Sequence, residues 1–417
     1  MTYIEFFSKF SAENIISALS SLPDEVIYIG NNSRLMQKHI DNYEKVFLDR
    51  GHKIDFRYKT ISTSNLKNAV DILSEIVENC NDCVFDITGG DEMLIFALGI
   101  VYAKYPNKHI QIHKANIRNN VFYDCDEDGI TVSKETPALS IDENIRIHNG
   151  EVSYGSINEN KTYKWNLTPD FVDDINSIWD ICKENVRYWN VQIGILEAAE
   201  IVGQKGDDEL TTIVACSALE QYSECRNNQI STEFVSNLFR RGLLTYFKND
   251  GNTITISYKN EQVKKCLTKA GQALEMKVYL IAKNALDKNG EPVYDEALNG
   301  VVIDWDGEFH DENKGAEDFD TENEIDVLLM HDMVPVFISC KNGNVTSGEL
   351  YKLNTVAERF GGPYSKKVLV ATAISDVSEQ GKYFRQRAKD MNITLIEKIQ
   401  DMDDAELEKK LKNCWNN

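Results

Sequence analysis

From residue 1 to about 120 the sequence alternates strand and helix patterns, and that rhythm limits what the chain can fold into. Apolar runs at Tyr3–Phe7, Glu25–Gly30, Lys53–Ile61, Cys83–Ile87 and Ile110–His113 read as strands. Between them lie three helical patterns. One opens at Ser33 and is ended by Gly51, one opens at Ser64 and runs to about Asn79, and one spans Asp91 to Tyr105. Parallel strands need a crossover of about a dozen residues or more, which a helix supplies. The expectation is an α/β, Rossmann-like domain over residues 1–150, with helices on both faces of a parallel sheet. Asn120–Val132 reads as an appended hairpin. Its acids Asp124, Asp126 and Asp128, with Gly129 and Glu135, have calcium-loop spacing, but a calcium loop sits between helices and these flanks are strands. Asp128-Gly129 therefore reads as a plain hairpin turn.

Residues 136–168 are polar with little apolar periodicity and read as a linker or lid. Asp170 to about Cys225 reads as helical, with an apolar stripe through Phe171, Ile175, Ile178 and Trp179. A helix capped by Ser231 follows, then a hairpin of Leu243–Phe247 and Thr253–Tyr258 turning at Asp250-Gly251. A helix followed by a two-stranded wing is the winged-helix pattern, which we assign to residues 165–260. Arg240 and Arg241 could touch phosphate, but no wider basic stripe surrounds them, which favours a dimerisation or spacer role. From Glu261 the pattern is one long helix, then strands Gly300–Trp305, Asn323–Met330 and Val334–Lys341, then alternating helix and strand to the end of residues 261–417. Asp311–Asp320 forms an acidic loop.

Composition narrows the function. The net charge of −22 disfavours a protein that grips duplex nucleic acid through a broad basic surface. A small metal-loaded cleft remains compatible with it. No run of about 18 apolar residues is present, and the start Met1-Thr2-Tyr3-Ile4-Glu5 lacks a basic, apolar leader, so a cytoplasmic location is expected. The nine scattered cysteines argue against a disulfide framework, and Cys80/Cys83 has no nearby partner pair for zinc.

The chemistry concentrates in the last third. Strand alternation puts Glu324 and Asp326 on one face, with Ile325 and Val327 opposite. Ser339 and Lys341 share a face of the next strand, and the short His331-Asp332 loop makes the two strands antiparallel. Asp326 and Lys341 can then meet at the strand ends. A carboxylate that binds a divalent metal, beside a lysine that positions water, suits phosphodiester hydrolysis. Glu275, arriving from the helix, would complete the metal shell, and oxygen ligands favour magnesium or manganese. Glu349 reads as part of a capping box opened by Thr346. In the first domain the Thr88-Gly89-Gly90 turn after a buried strand, with Ser8-Lys9 and Asn31-Asn32 on the same sheet edge and Asp91 following, marks a candidate ligand edge. No G-x-G-x-x-G fingerprint accompanies it, so a nicotinamide cofactor is not expected.

The order helix-Glu275, strand-Asp326, strand-Lys341 resembles the PD-(D/E)xK nuclease superfamily. Asn323-Glu-Ile-Asp326-Val and Phe337-Ile-Ser-Cys-Lys341-Asn look like its second and third motifs. Ser339 stands where an acid is usual, and Glu324 or a water on Ser339 could compensate. With Asp86-Ile-Thr-Gly-Gly90 and Gly271–Glu275, nearly the full chain resembles the CARF-domain effector nucleases of type III CRISPR systems, of the ancillary nuclease type. The resemblance implies a restriction-endonuclease-like C-terminal domain with metal held by Asp326, Glu275 and the Cys340 backbone carbonyl. It further implies a homodimer whose CARF domains bind cyclic oligoadenylate, typically cyclic tetra-adenylate. Binding would switch on manganese- or magnesium-dependent cutting of single-stranded RNA or DNA and nicking of duplex DNA, with no membrane partner. Asp91-Glu92 follows the glycine pair where a more basic or hydroxyl-bearing pair is expected, which leaves ring size open. Two rivals remain: a winged-helix regulator with a CARF sensor and an inactive nuclease remnant, and a CARF domain that hydrolyses the ring itself.

Overall fold

The structure, a computed structural model, describes all residues except 63, 127–128, 133–136, 207, 223–224, 227–228, 309–320, 375–378 and 417. The acidic loop Asp311–Asp320, together with Asp128 and Glu135 of the calcium-spaced turn, lies outside the described residues.

The expected strand–helix alternation is present. Strands β1 (Thr2–Phe6), β2 (Glu25–Gly30), β3 (Asp55–Thr60), β4 (Cys83–Asp86) and β5 (Ile110–Asn116) pair in parallel in the order 3-2-1-4-5. The appended hairpin, β6 (Val121–Asp126) and β7 (Gly129–Val132), extends the sheet antiparallel beyond β5. Alternation along the strands feeds two cores. Ile4, Phe6, Ile29 and Phe85 pack with Leu73 and Leu98 of helices Leu66–Asn79 and Glu92–Lys104. Tyr3, Val26, Tyr28 and Val84 face Met36, Ile40, Tyr43 and Phe47 of helix Ser33–Asp49. Helix starts differ by one residue from expectation. Asn32 and Asn65, in extended backbone, cap the first two helices instead of Ser33, which is already inside its helix, and Ser64, which lies one residue before the cap position.

Residues 136–168 are not a free linker. Ser140 and Glu143 form a capping box that starts helix Ile141–Ile147, and Ile141, Asn144, Ile145 and Ile147 are buried. The Asn144 amide donates to the Phe360 carbonyl at 2.7 Å, and β8 (Glu151–Val152) joins the edge of the C-terminal sheet. A two-turn helix is too short for its periodicity to stand out, and only packing makes it stable.

The stretch from Asp170 to Cys225 is likewise not all helix. Helices Pro169–Glu184 and Val186–Val202 are followed by β9 (Gln204–Lys205) and β10 (Thr211–Ala215). The β-branched run Thr211-Thr-Ile-Val214 was the signal for that strand. Helix Thr232–Arg240, capped by Ser231, precedes the expected hairpin of β11 (Leu244–Asn249) and β12 (Thr253–Tyr258). The strands lie in the order 11-12-10-9.

The long helix from Glu261 is broken. Glu261–Thr268 and Gln272–Lys283 are separate helices, and Gly271 between them has φ +86°, a region side chains resist. The second sheet contains β13 (Glu296–Asp304), β14 (Glu322–His331), β15 (Val334–Asn344), β16 (Lys366–Ala373) and β17 (Ile393–Glu397). Its order is 17-16-15-14-13-8, antiparallel from β13 to β15 and parallel from β15 to β17. One face, with Val327, Leu329, Ile338, Val368 and Val370, shares a core with helix Gln272–Lys283 and the middle region. The other, with Leu328, Met330, Phe337 and Leu369, shares a core with helix Ser347–Gly361 and the inner face of the first sheet. The protein is thus α/β with a parallel-rich, Rossmann-like sheet and a second, mixed sheet. No helix among the described residues is long and apolar enough to cross a membrane.

Candidate active site

Asp326 lies where strand alternation fails. Its neighbours Ile325 and Val327 belong to different cores, instead of sharing the face that strict alternation predicts. The cause lies across the ladder. The pairs Asn299↔Val327 and Val301↔Ile325 bracket Gly300, whose φ is +60°. This irregularity turns Asp326 toward β15. Asp326 Oδ2 accepts from the Cys340 backbone N–H at 2.6 Å and the Ser339 hydroxyl at 3.2 Å, with Lys341 Nζ at 3.5 Å. Ser339 therefore touches the acid it faces. Lys341 also meets Glu349 Oε2 at 3.3 Å. Thr346 makes no side-chain cap, so Glu349 serves Lys341 and Lys352 rather than a capping box.

The helix break supplies the other wall. Gly271 caps helix Gln272–Lys283 and places Glu275 in its first turn. The positive φ favours glycine at 271, and a Cβ there would come to 3.0 Å from Glu275 Oε1, which would have to shift slightly. The same break turns Lys269 back onto Glu324, with which it forms an ion pair. Lys264, Lys265 and Lys269 line a 420 Å³ cavity at this margin. Sequence reasoning missed Lys269 and underrated Glu349, because each enters through a backbone turn that periodicity does not reveal.

Electrostatics bind these groups together. Burial, with Asp326 and Glu324 nearby, pushes the Glu275 carboxyl up to about 8. Burial likewise raises Asp326, against the pull of Lys341 and the Cys340 N–H. Burial alone would lower the Lys341 ammonium, but Asp326 and Glu349 outweigh it and raise it. Burial opposes the shift at Glu349 too, where the Lys341 and Lys352 charges prevail and lower it. Two acids held above their usual range beside a cation that stays charged make an environment that favours a second, divalent cation.

Among the described residues no three acidic, histidine or cysteine side chains converge on one point as a complete metal shell. The donor set nonetheless suits a hard cation that keeps several waters. Glu275 Oε2 is buried without a hydrogen-bond partner, and a buried carboxylate oxygen left so is costly unless a cation or water meets it.

Beyond Lys341, the chain is locked to the middle region. The Asn190 amide donates to the Asn342 carbonyl at 2.5 Å, and the Asn342 amide returns a bond to Asn190 Oδ1 at 2.9 Å. Register shifts between Lys341 and Asn344, which marks an irregularity at the end of β15.

The candidate ligand residues gather at the carboxyl ends of β1, β2 and β4. Strand order reverses between β1 and β4, the position where open α/β sheets bind ligands. Gly89 and Gly90 are needed there: a Cβ on Gly89 would meet Ser8 Cβ at 2.6 Å, and one on Gly90, at φ +96°, would meet Phe6 Cβ at 2.4 Å. Asp86 Oδ1 accepts from the Thr88 N–H at 2.5 Å, and burial pushes the Asp86 carboxyl up to about 7. Thr88 Oγ1 accepts from Ala115 N–H at 2.6 Å, the Ser8 hydroxyl from Phe10 N–H at 3.1 Å, and Asp91 caps the next helix through Met93 N–H at 2.9 Å. Asn32 spends its side chain on a cap, while Lys9 and Asn31 are exposed. Sequence reasoning passed over Lys114, Asn116, Arg118 and Tyr123, which line a 360 Å³ cavity beside Thr88.

The fold defines a class: two-sheet α/β proteins that share this architecture from end to end. Protein VC1899 from Vibrio cholerae is similar over 100% of this chain and 97% of its own, with a TM-score of 0.71 and 14% identity. Can2 from Sulfobacillus thermosulfidooxidans, solved in complex with cyclic tetra-adenylate, is similar over 100% of this chain and 99% of its own, with a TM-score of 0.65 and 14% identity. No family model matches the sequence, and no curated protein matches it.

Proposed function

We propose that the protein is a metal-dependent nuclease switched on by a cyclic oligoadenylate. The observation that carries this reading is the convergence of Glu275, Asp326 and Lys341 about a break in strand alternation, with a partnerless carboxylate oxygen buried among them. In this reading Asp326, Glu275 and the Cys340 backbone carbonyl hold manganese or magnesium, with Glu324 and Ser339 beside them. The bound metal would acidify a water and polarise a phosphodiester. Lys341, kept charged by Asp326 and Glu349, orients that water and steadies negative charge on the phosphate. Ser339, in place of an acid, fixes Asp326 by a hydrogen bond. The substrate is single-stranded RNA or DNA, with nicking of duplex DNA.

The domain reading stays as residues 1–150 for the sensor, 165–260 for a winged-helix-like middle and 261–417 for the nuclease. Similarity to Can2 supports cyclic tetra-adenylate as the activator, received by Ser8, Lys9, Asn31, Asn32, Thr88, Gly89, Gly90 and Asp91. A homodimer is supported by helix Glu92–Lys104, which is apolar nearly all round and leaves Met93, Ile95, Phe96 and Ile100 exposed. The regulator reading is weakened by Arg241, whose guanidinium already lies 3.4 Å from Asp180. The test incubates the protein with manganese, cyclic tetra-adenylate and labelled single strands of both kinds. Ligand-dependent cutting that disappears in Lys341→Ala is expected. No cutting with any cyclic oligoadenylate, or undiminished cutting by that variant, rejects the reading.

A further inference from the structure

The cavity beside Thr88 has walls from both halves of the chain. Lys114, Asn116, Arg118 and Tyr123 come from β5, the turn after it and β6, and Tyr364 comes from the turn that opens β16. Lys114 pairs in register with Tyr123, which sets a cation beside an aromatic ring. Arg118 donates to the Pro363 carbonyl at 3.4 Å, which brings the guanidinium next to Tyr364. In a chain with net charge −22, two cations and two tyrosines around 360 Å³ form a selective setting. The volume lies within the range of about 300–1,000 Å³ usual for small-molecule sites. Cations meet phosphate, and tyrosine faces stack on a base.

A second set of contacts leads outward from the cavity. The Tyr364 hydroxyl donates to Glu13 Oε1. The other oxygen of Glu13 would lie 3.1 Å from a Cβ on Gly89, so Glu13 stands between the glycine turn and Tyr364. Tyr364 is two residues before Lys366, which pairs with Val336 at the start of the β15–β16 ladder, and the same ladder carries Lys341 opposite Ala371. The Arg118 charge also reaches Lys366, whose ammonium is lowered first by burial and then by that neighbouring cation.

We infer that this cavity is a nucleotide subsite shared by the two halves, in which Lys114 and Arg118 receive a phosphate, Tyr123 and Tyr364 flank a base, and Tyr364 reports occupancy to the catalytic sheet. This rests on the activator reading above and specifies where the activator meets the C-terminal half. A phosphate arriving beside Glu13 competes for the Tyr364 hydroxyl, because it offers the same kind of acceptor and repels the carboxylate. The hydroxyl then exchanges one acceptor for another, and the turn that opens β16 moves with it.

The test uses the full chain and measures binding by calorimetry and cutting by labelled single strands. Lys114→Gln/Arg118→Gln should bind cyclic tetra-adenylate about tenfold or more weakly, with a shallower salt dependence. Its ligand-free melting temperature should match the wild type. Tyr364→Phe keeps the ring and loses the hydroxyl. It should bind within about threefold of wild type yet change ligand-stimulated cutting about tenfold, a split that a merely structural role would not produce. Undiminished binding by the double variant overturns the subsite, and unaltered stimulation in Tyr364→Phe overturns the relay. If the wild type binds no cyclic oligoadenylate, the activator reading falls, and the subsite is then tested with ATP and inorganic pyrophosphate. Binding of either that is lost in the double variant upholds it; no binding by the wild type, or equal binding by both proteins, overturns it.

Discussion

Asp326 is held by the main chain of Cys340, whose N–H donates to Oδ2 at 2.6 Å, a shorter approach than the 3.5 Å from Lys341 Nζ. The carboxylate is therefore placed by the register of two strands before any long side chain takes part. An asparagine would accept the same N–H while losing the charge. Asp326→Asn should fold with a melting temperature equal to or above that of the metal-free wild type, because a buried charge has been removed. Its cutting rate should fall by about 10²-fold or more. Single-turnover cleavage at saturating manganese, with a melt in parallel, measures both, and retained activity would remove Asp326 from the site.

Glu275 gives a pH-dependent signature. Its ordinary value is 4.5 and the fold pushes it up to about 8, so between these pH values the folded chain binds a proton that the unfolded chain does not. Its contribution to stability is then greatest below pH 4.5 and is lost as pH rises toward 8. Glu275→Gln should remove this component, so the variant's melting temperature should gain on the metal-free wild type as pH increases. Manganese should stabilise the wild type increasingly over the same window and Glu275→Gln much less. Parallel melts with and without manganese test this, and identical profiles would contradict it.

Acid should loosen a different place. Burial pushes His39 and His148 down from 6.5 to about 4. His39 Nδ1 lies 3.3 Å from the Ile147 carbonyl, and His148 Nδ1 lies 2.8 Å from the Asn144 carbonyl, so both brace helix Ile141–Ile147. The unfolded chain takes up protons below 6.5 while the folded chain resists until about 4. Stability is thus complete above pH 6.5 and declines as pH falls through that window. Hydrogen exchange near residues 141–149 should accelerate between pH 6.5 and 4 ahead of the sheet interiors, and His39→Gln should flatten the trend.

Gly271→Ala tests the helix break. Its φ of +86° strains any side chain, and the new methyl would approach Glu275 Oε1 to 3.0 Å. A loss of about 1–3 kcal/mol in denaturant unfolding is expected, together with weaker manganese binding. Unchanged stability and metal affinity would show that the turn tolerates a side chain.

Glu349→Gln separates two roles. With no cap at Thr346, helix Ser347–Gly361 should retain its stability within about 0.5 kcal/mol. Lys341 would lose one of its two carboxylate partners, so the alkaline limb of the rate profile should move to lower pH. An unchanged limb with a lower melting temperature would return Glu349 to a capping role.

The parallel sheet, the hairpin at its edge and the antiparallel pair that carries Asp326 and Lys341 were legible in the sequence, because strand and helix periods and turn residues act over a few neighbours. Local pattern also marked Thr88-Gly89-Gly90, and the structure shows both glycines packed against Phe6 and Ser8. Helix Ile141–Ile147 was not legible, since it is too short to exist without the surface that covers it, and the β-branched signal of strand Thr211–Ala215 was obscured by the helical pattern before it. Tertiary structure alone decided the face change at Asp326, which depends on Gly300 across the ladder, and the return of Lys269 onto Glu324 through the turn at Gly271. It alone brought Tyr364 to Glu13 from 351 residues away. Periodicity reports which way a residue faces within its own element, whereas meeting of charges across elements depends on how the whole chain packs.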